Sequence, residues 1–423
     1  MESVAEGKLT DGSGILTVNT GSSSIKVTLY RVDGASEAPE LSARAERIGA
    51  GGGRLRLTNA GGEARDGTVA ETAPEAFGWA PTDLPDHAAA LGVVLERMRR
   101  MGDARPPAAV GHRIVHGGSL YREPVEIVPE VVAGLRGLSQ IDPTHMPQAI
   151  AAIGAIHSAY PAVPQVACFD TAFHAAMPRV ARLFALPRAL SEEGIVRYGF
   201  HGLSYEYVTS ELRKMDQKAA EGRIIIAHLG NGASMAAVRG GEGVDTTMGF
   251  TPTGGLMMGT RSGDLDPGVL LHLLRAKELD VGALDALVNG KSGLLGVSET
   301  SADMRELLGR EDADPRAAEA IAIFCYAAKK YLGSLAAALG GLETLVFTGG
   351  IGERAAPVRE RICDGLAFLG IALDPERNAG HEPVVSSDGS PVTVRVLPTD
   401  ENAMIARHTT RLIRRKGAKR VPF

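Results

Sequence analysis

Apolar and polar positions fall into two matched stretches. An apolar run, Leu16-Thr17-Val18-Asn19, is followed by small residues, Thr20-Gly21-Ser22-Ser23-Ser24, and an alternating return, Ile25-Lys26-Val27. The order recurs as Ile226-Ala227-His228-Leu229, Gly230-Asn231-Gly232 and Ala233-Ser234-Met235-Ala236-Ala237-Val238. Each predicts a strand, a tight turn and a returning strand. Further strands are expected at 108–112, 165–169, 344–347 and 392–397, with others within 41–68, where Gly51-Gly52-Gly53 and Gly61-Gly62 mark turns. Helical spacing appears at 85–101 (Ala89, Leu91, Val94, Leu95, Met98), 147–158, 205–218, 268–277, 281–288, 357–369 and 403–415. The longest such pattern, 314–339, is so rich in Ala, Ile and Leu that it reads as an interior helix. Residues 113–119 and 249–267 read as loops, 349–352 as a turn and 1–13 as a flexible lead-in. Hairpins followed by βα units in each half predict an α/β protein with sheets flanked by helices.

At 423 residues the chain has room for two or three domains. Its net charge of −5 offers no attraction for nucleic acid or an anionic membrane. Glycine is abundant, 52 residues, and clusters beside Asn, Thr and Ser as in loops that approach a ligand closely. Cys168, Cys325 and Cys363 lie in apolar surroundings without CxxC spacing, so a reduced cytosolic protein is expected. Residues 1–14 are polar and carry no signal-peptide core, and no uncharged apolar run reaches membrane-spanning length.

A turn of small residues presents backbone N–H groups to phosphate oxygens, and its repetition in both halves favours a nucleotide gripped between related domains over two ordinary hairpins. Thr348-Gly349-Gly350-Ile351-Gly352-Glu353-Arg354-Ala355 partly matches a dinucleotide fingerprint, with Asp374 downstream; a turn against a nucleotide base explains the glycines equally well. A Walker A loop is absent, since Asp285 stands where its first glycine should precede Asn289-Gly290-Lys291-Ser292. Arg113 and Arg261 each sit among glycines, one per half, where a guanidinium can grip carboxylate or phosphate; the plain alternative is a surface arginine. Asp170 follows an apolar strand, and His201 lies between glycines. Asp400 and Glu401 are either acids at a helix N-terminus or Mg²⁺ contacts. Asn19, Asp170 and Glu401 are hard-oxygen candidates suited to Mg²⁺, and zinc spacing is missing.

Taken in order, NTGSSSIK, GHRIVHGG, FDTAFH, RYGFHGLS, AHLGNGAS, MMGTRSGDLDPG, SADMREL and FTGGIGER resemble the acetate kinase family, across about residues 15 to 410. The resemblance implies a duplicated actin-like (ribonuclease H-like) α/β fold: an N-terminal lobe over 14–168 with a closing helix at 403–423, a nucleotide-binding lobe over 169–402, and a cleft where ATP and a short-chain carboxylate meet. It implies Mg²⁺ (or Mn²⁺) at Asn19 and Glu401. It places ATP/ADP contacts on Lys26, on His228, Leu229, Gly230, Asn231 and Gly232, on Asp303, Met304 and Arg305, and on Gly350, Ile351, Gly352 and Glu353. Arg113 falls on the substrate arginine, with Val115, Phe200 and Pro252 lining the acyl pocket. His201 and Arg261 fall on transition-state residues, Asp170 on the catalytic aspartate and His145 on a further active-site histidine. A cytoplasmic homodimer is implied, without nucleic-acid or membrane partners.

The chain departs from the family pattern at Thr144 and Met146 beside His145, at Thr253-Gly254-Gly255, at Arg354 and at Asp400 and Asn402. The catalytic frame is kept and the acyl pocket altered, so propionate, butyrate or another small acid stands beside acetate. A chaperone- or actin-like ATPase, an NAD-dependent oxidoreductase and a pyrophosphate-using acyl kinase are the rival readings. Since a carboxylate of pKa ~4–5 needs no general base at pH 7, Asp170 is expected to order metal-bound water or an arginine.

Overall fold

The computed structural model describes residues 9–34, 36–49, 51–59, 80–101 and 105–419. The Gly61-Gly62 turn and most of the lead-in lie outside them. The chain forms two compact units, Met1–Ala172 with Asp400–Phe423, and Phe173–Thr399.

The first unit is built on strands β1 (Gly14–Thr20), β2 (Ser24–Asp33), β3 (Ser36–Glu46), β4 (Arg54–Asn59), β5 (Ala80–Pro81), β6 (Ala109–Ile114), β7 (Val125–Glu126) and β8 (Gln165–Phe169). The second carries β9 (Arg223–Leu229), β10 (Ala233–Arg239), β11 (Glu242–Thr246), β12 (Thr344–Thr348) and β13 (Thr393–Val396). The sheet orders are β5-β4-β3-β2-β1-β6-β8-β7 and β11-β10-β9-β12-β13. The run β3-β2-β1-β6-β8 repeats the second sheet strand for strand: two antiparallel pairings, then two parallel ones. The duplication visible in the two turns therefore extends to whole sheets.

Side-chain period fixes what each sheet covers. The helix His87–Met101 buries Ala90, Leu91, Val94, Leu95 and Met98 at three- and four-residue spacing, against Val18, Ile25, Val27 and Leu55 of the first sheet. Each such Leu or Val contributes roughly 1.5–3 kcal/mol by leaving water. Met146, Ala149 and Ile153 from the helix Met146–Ala159 pack with Ile114 and Phe169. The closing helix, Glu401–Lys419, returns to this unit and packs on β1 and β6, where a Cβ on Gly111 would collide with Thr409 and Ile405.

Several elements differ from the sequence reading. The helix Pro315–Leu339 is not interior. It is capped by the Asp314 carboxylate, which accepts from the N–H groups of Arg316 and Ala317, and it buries one stripe from Ala317 to Leu339. Ile323 and Tyr326 on its other side are exposed; an Ala-rich composition hides that stripe from a hydropathy reading. The 205–218 helix starts earlier, at Gly202, and breaks at Asp216. Residues 349–352 are the start of a short helix, Gly349–Arg354, not a free turn. The 357–369 helix stops at Cys363. Glu401 lies inside the closing helix, whose first turn is held by Asp400 Oδ1 accepting from Ala403 N–H at 3.0 Å.

Two buried histidines give the fold an acid limit. His112 Nε2 lies 2.7 Å from Gln165 Oε1, and His174 Nε2 lies 3.0 Å from the Phe200 carbonyl. Burial pushes both down to about 4. The unfolded chain takes up protons near the ordinary value of 6.5 while the folded one does not. Stability is thus full above about pH 6.5 and declines as pH falls toward 4, by on the order of 3 kcal/mol per histidine. Urea midpoints measured from pH 7.5 to 4.5 should fall on this curve, and His112→Gln should remove about half of the decline, leaving the part due to His174. A flat wild-type profile would contradict the assignment.

Candidate active site

In the first unit, four elements deliver four polar side chains to one network. β1 supplies Asn19, β6 Arg113, the end of β8 Asp170, and the closing helix Glu401. Arg113 is the penultimate residue of β6, not a loop residue as expected. The pleat still aims its side chain out of the hydrophobic layer formed by its neighbour Ile114. Its Nη2 donates to Asp170 Oδ2 at 2.6 Å, and its Nε reaches Oδ1 at 3.0 Å. Its Nη1 donates to Asn19 Oδ1 at 3.2 Å, and Asn19 Nδ2 donates to Glu401 Oε2 at 2.9 Å. Asp170 is 0% exposed, so its charge is unaffordable without the guanidinium. Burial works against the charge on Arg113, but Asp170 and then Glu401 outweigh it and raise the pKa. A guanidinium has five N–H donors, and two remain for a bidentate hold on a carboxylate.

Lys26 lies opposite Asn19 in the β1–β2 register and is exposed. His145 precedes the helix Met146–Ala159, with Nδ1 2.9 Å from Asp142 Oδ1. Burial opposes ionisation of Asp142, but His145 holds its carboxyl below the ordinary range. Asp142 was not singled out in the sequence; its position three residues before His145 was the available signal. Val115 is buried and Thr144 exposed.

In the second unit, the β9–β10 turn carries Gly230-Asn231-Gly232. His201 stands over it in a left-handed conformation, φ 57° and ψ 24°, at the start of the helix Gly202–Met215. Such a backbone is uncommon outside glycine and occurs where surroundings impose it. Its ring stacks on His228, with centroids 4.3 Å apart. Arg261 Nη1 donates to the Pro252 carbonyl at 3.2 Å. A Cβ built on Gly232 would lie 3.3 Å from His201 Nε2 and 3.8 Å from Arg261 Nη1, so two nitrogen tips converge over this one glycine. Phe200 and Pro252 are buried beside them.

The Gly349–Arg354 helix lies against the same turn. Gly349 takes φ +76°, and a Cβ there would be 2.7 Å from the Leu229 carbonyl. Glu353 Oε1 accepts from Gly349 N–H at 3.0 Å and Thr399 N–H at 3.3 Å, a fastening role. Gly350 and Ile351 are not buried, whereas Gly352 is. The sequence reading missed Arg359, fully buried on the apolar side of the helix Ala356–Cys363. It donates to the carbonyls of Gly352 and Glu353 at 2.8 and 3.0 Å. Burial lowers its pKa to about 10. Asp303 caps the helix Met304–Leu308 and pairs with Arg305, whose hydrogen bond lowers its pKa; Met304 itself is buried. Asp374 is engaged in capping the helix Pro375–Ala379, which removes the acid on which the dinucleotide reading leaned.

Doubled sheets of this order, with glycine turns, polar clusters and no Walker loop, define the duplicated actin-like class of phosphate-binding folds. The model of the Acetokinase family matches residues 14–407, and the chain belongs to that family. The acetate kinase of Rhodopseudomonas palustris is 46% identical over 410 residues, covering 94% of this chain and 98% of its own. The crystal structure of Porphyromonas gingivalis acetate kinase is similar at TM-score 0.81 and 39% identity, covering 95% of this chain and 100% of its own. A propionate kinase from Francisella tularensis is similar at TM-score 0.85 and 32% identity, covering 94% and 99%.

Proposed function

We propose that this chain is an acyl kinase that transfers the γ-phosphoryl group of ATP reversibly to a short-chain carboxylate, acetate first among them. The convergence of His201 Nε2 and Arg261 Nη1 over Gly232 carries this reading. Donors so placed suit the equatorial oxygens of a phosphoryl group in transfer. Arg113 holds the acceptor through its two remaining N–H groups, with Asp170 fixing its plane. A carboxylate oxygen forms the new bond to phosphorus as the bond to the ADP oxygen breaks. The acid is already ionised, so no residue removes a proton.

Among the described residues no cluster of three or more His, Cys, Asp or Glu could cage an ion. Glu401 beside Asn19 is instead the sparse hard-oxygen set that suits Mg²⁺ held mainly through water and phosphate. Asn19 and Glu401 would hold an Mg²⁺ there, and the ion would supply neutralisation of phosphate charge. No described helix is long and apolar enough to cross a membrane, and three buried free thiols fit a cytoplasmic address.

A hydroxamate assay for acyl phosphate, run with ATP, Mg²⁺ and formate, acetate, propionate, butyrate and glycolate, tests the reading. Product should form with acetate and its near homologues. Turnover of ATP unaffected by any acid would favour the actin- or chaperone-like alternative. Thr144→Leu, which puts an apolar side chain at this position, should shift kcat/KM toward acetate by about tenfold. Identical profiles would remove Thr144 from specificity.

The reading includes a homodimer. The helices Pro267–Ala276 and Val281–Gly290 are largely Val, Leu and Ala, yet bury no residue. Leu265, Val269, Leu271 and Val281 are exposed with them. Apolar surface of this extent favours a second copy of the chain as its cover. Light scattering should give twice the chain mass, and Leu271→Glu with Val281→Glu should give the monomer. A wild-type monomer at micromolar concentration would refute the dimer.

A further inference from the structure

We propose that two hydroxyl relays in the second unit lock His201 and His228 into the tautomer that carries its proton on Nε2. The inference rests on the phosphoryl-transfer reading of the 230–232 turn. It adds four positioning residues: Ser204, Tyr205, Ser234 and Thr399.

The relays are built alike. His228 Nδ1 lies 2.8 Å from Ser204 Oγ, and His201 Nδ1 lies 2.8 Å from Ser234 Oγ. Behind Ser204, Thr399 Oγ1 donates to the serine oxygen at 2.8 Å. Behind Ser234 stands the Tyr205 hydroxyl, within hydrogen-bond reach. A serine hydroxyl has one hydrogen to give. Ser204 accepts from Thr399, and its own hydrogen, which a hydroxyl this buried must place, has His228 Nδ1 as the acceptor within reach. That nitrogen is therefore bare and the ring proton sits on Nε2. The same direction holds in the second relay when the more acidic phenol of Tyr205 donates to Ser234. Ser204, Tyr205 and Ser234 are all 0% exposed, so no bulk water replaces either hydroxyl.

The far nitrogens then share one surface. His201 Nε2 is 3.3 Å from a Cβ position on Gly232, and His228 Nε2 is 3.8 Å from one on Gly230. Both present N–H to the turn on which phosphate oxygens are placed. The stack itself favours this state. Two imidazolium rings with centroids 4.3 Å apart would repel, whereas neutral rings supply donors without added charge. Tying Nδ1 to a fixed partner is the general means by which a protein selects a histidine tautomer.

The test is 15N NMR of the full chain labelled at histidine, with His201→Asn and His228→Asn used to assign the two rings. At pH 7.5 both should show a protonated Nε2 and a bare Nδ1. Ser204→Ala should turn His228 into a tautomer mixture and leave His201 unchanged; Ser234→Ala should do the reverse. Each should lower kcat roughly tenfold, the order of one lost buried hydrogen bond, with KM for the acid unmoved. Ser204→Thr, which keeps the hydroxyl, should restore the His228 signature. Protonated Nδ1 on either wild-type ring, or unchanged tautomers in both alanine variants, would overturn the relays. The wild-type spectrum decides even if a variant fails to fold. Correct tautomers in a chain that makes no acyl phosphate would leave the relays standing and sink the kinase reading.

Discussion

Replacing Arg261 by alanine is expected to lower kcat by roughly 10³–10⁵-fold, the range seen when an arginine that neutralises a transferring phosphoryl group is removed. ATP affinity should change little, because the loop around Arg261 is held by its backbone. Met258 N–H donates to the Arg261 carbonyl at 3.1 Å, Ser262 N–H to Val288 at 3.0 Å, and Ser292 N–H to Thr260 at 3.0 Å. Gly293 fits so closely against Met258 and Arg261 that only hydrogen is tolerated there. The substitution thus removes a guanidinium and leaves its platform. Single-turnover kinetics with an ATP titration would check both halves, and a loss under tenfold would exclude Arg261 from the transition state.

Arg113→Leu should cost stability as well as activity. The side chain is 15% exposed and is the cation between Asp170 and Glu401. Leucine takes the guanidinium away from the buried Asp170 carboxylate, a loss of about 3–5 kcal/mol. Acyl phosphate formation should vanish. Adding Asp170→Asn should recover much of the stability and none of the activity, since the two residues share one network. Denaturant midpoints and the hydroxamate assay separate these outcomes. A stable, inactive single variant would show that the pair does not hold the fold, and an active one would remove Arg113 from the acid.

What could be read from the chain follows from physical range. Strand Gln165–Phe169 was legible to the residue because it is buried along its whole length and bounded by Pro164 on one side and Asp170 on the other. The hairpins at 15–30 and 224–238 were legible because turn chemistry and alternation coincide. Short helices were not: Gly349–Arg354 has too few residues to show a period, and its glycines argue for a turn. Asn19, Arg113, Asp170 and Glu401 could each be nominated from local pattern, but their hydrogen bonds span up to 382 positions and appear only in the fold. Ser204 and Ser234 lay inside quoted motifs without any local sign of what their hydroxyls face. Arg359 was detectable in principle, as a cation on the same helical side as Val358, Ile362 and Cys363.

Glu401 enters the first unit from a helix that follows the whole second unit in the chain. On the ribosome, the N-terminal sheet emerges early but waits for the entire second unit before its closing helix and its fourth network member arrive. A message cut short between codons 170 and 401 therefore yields a product that holds Arg113 and Asp170 but lacks the Glu401 carboxylate that completes their network.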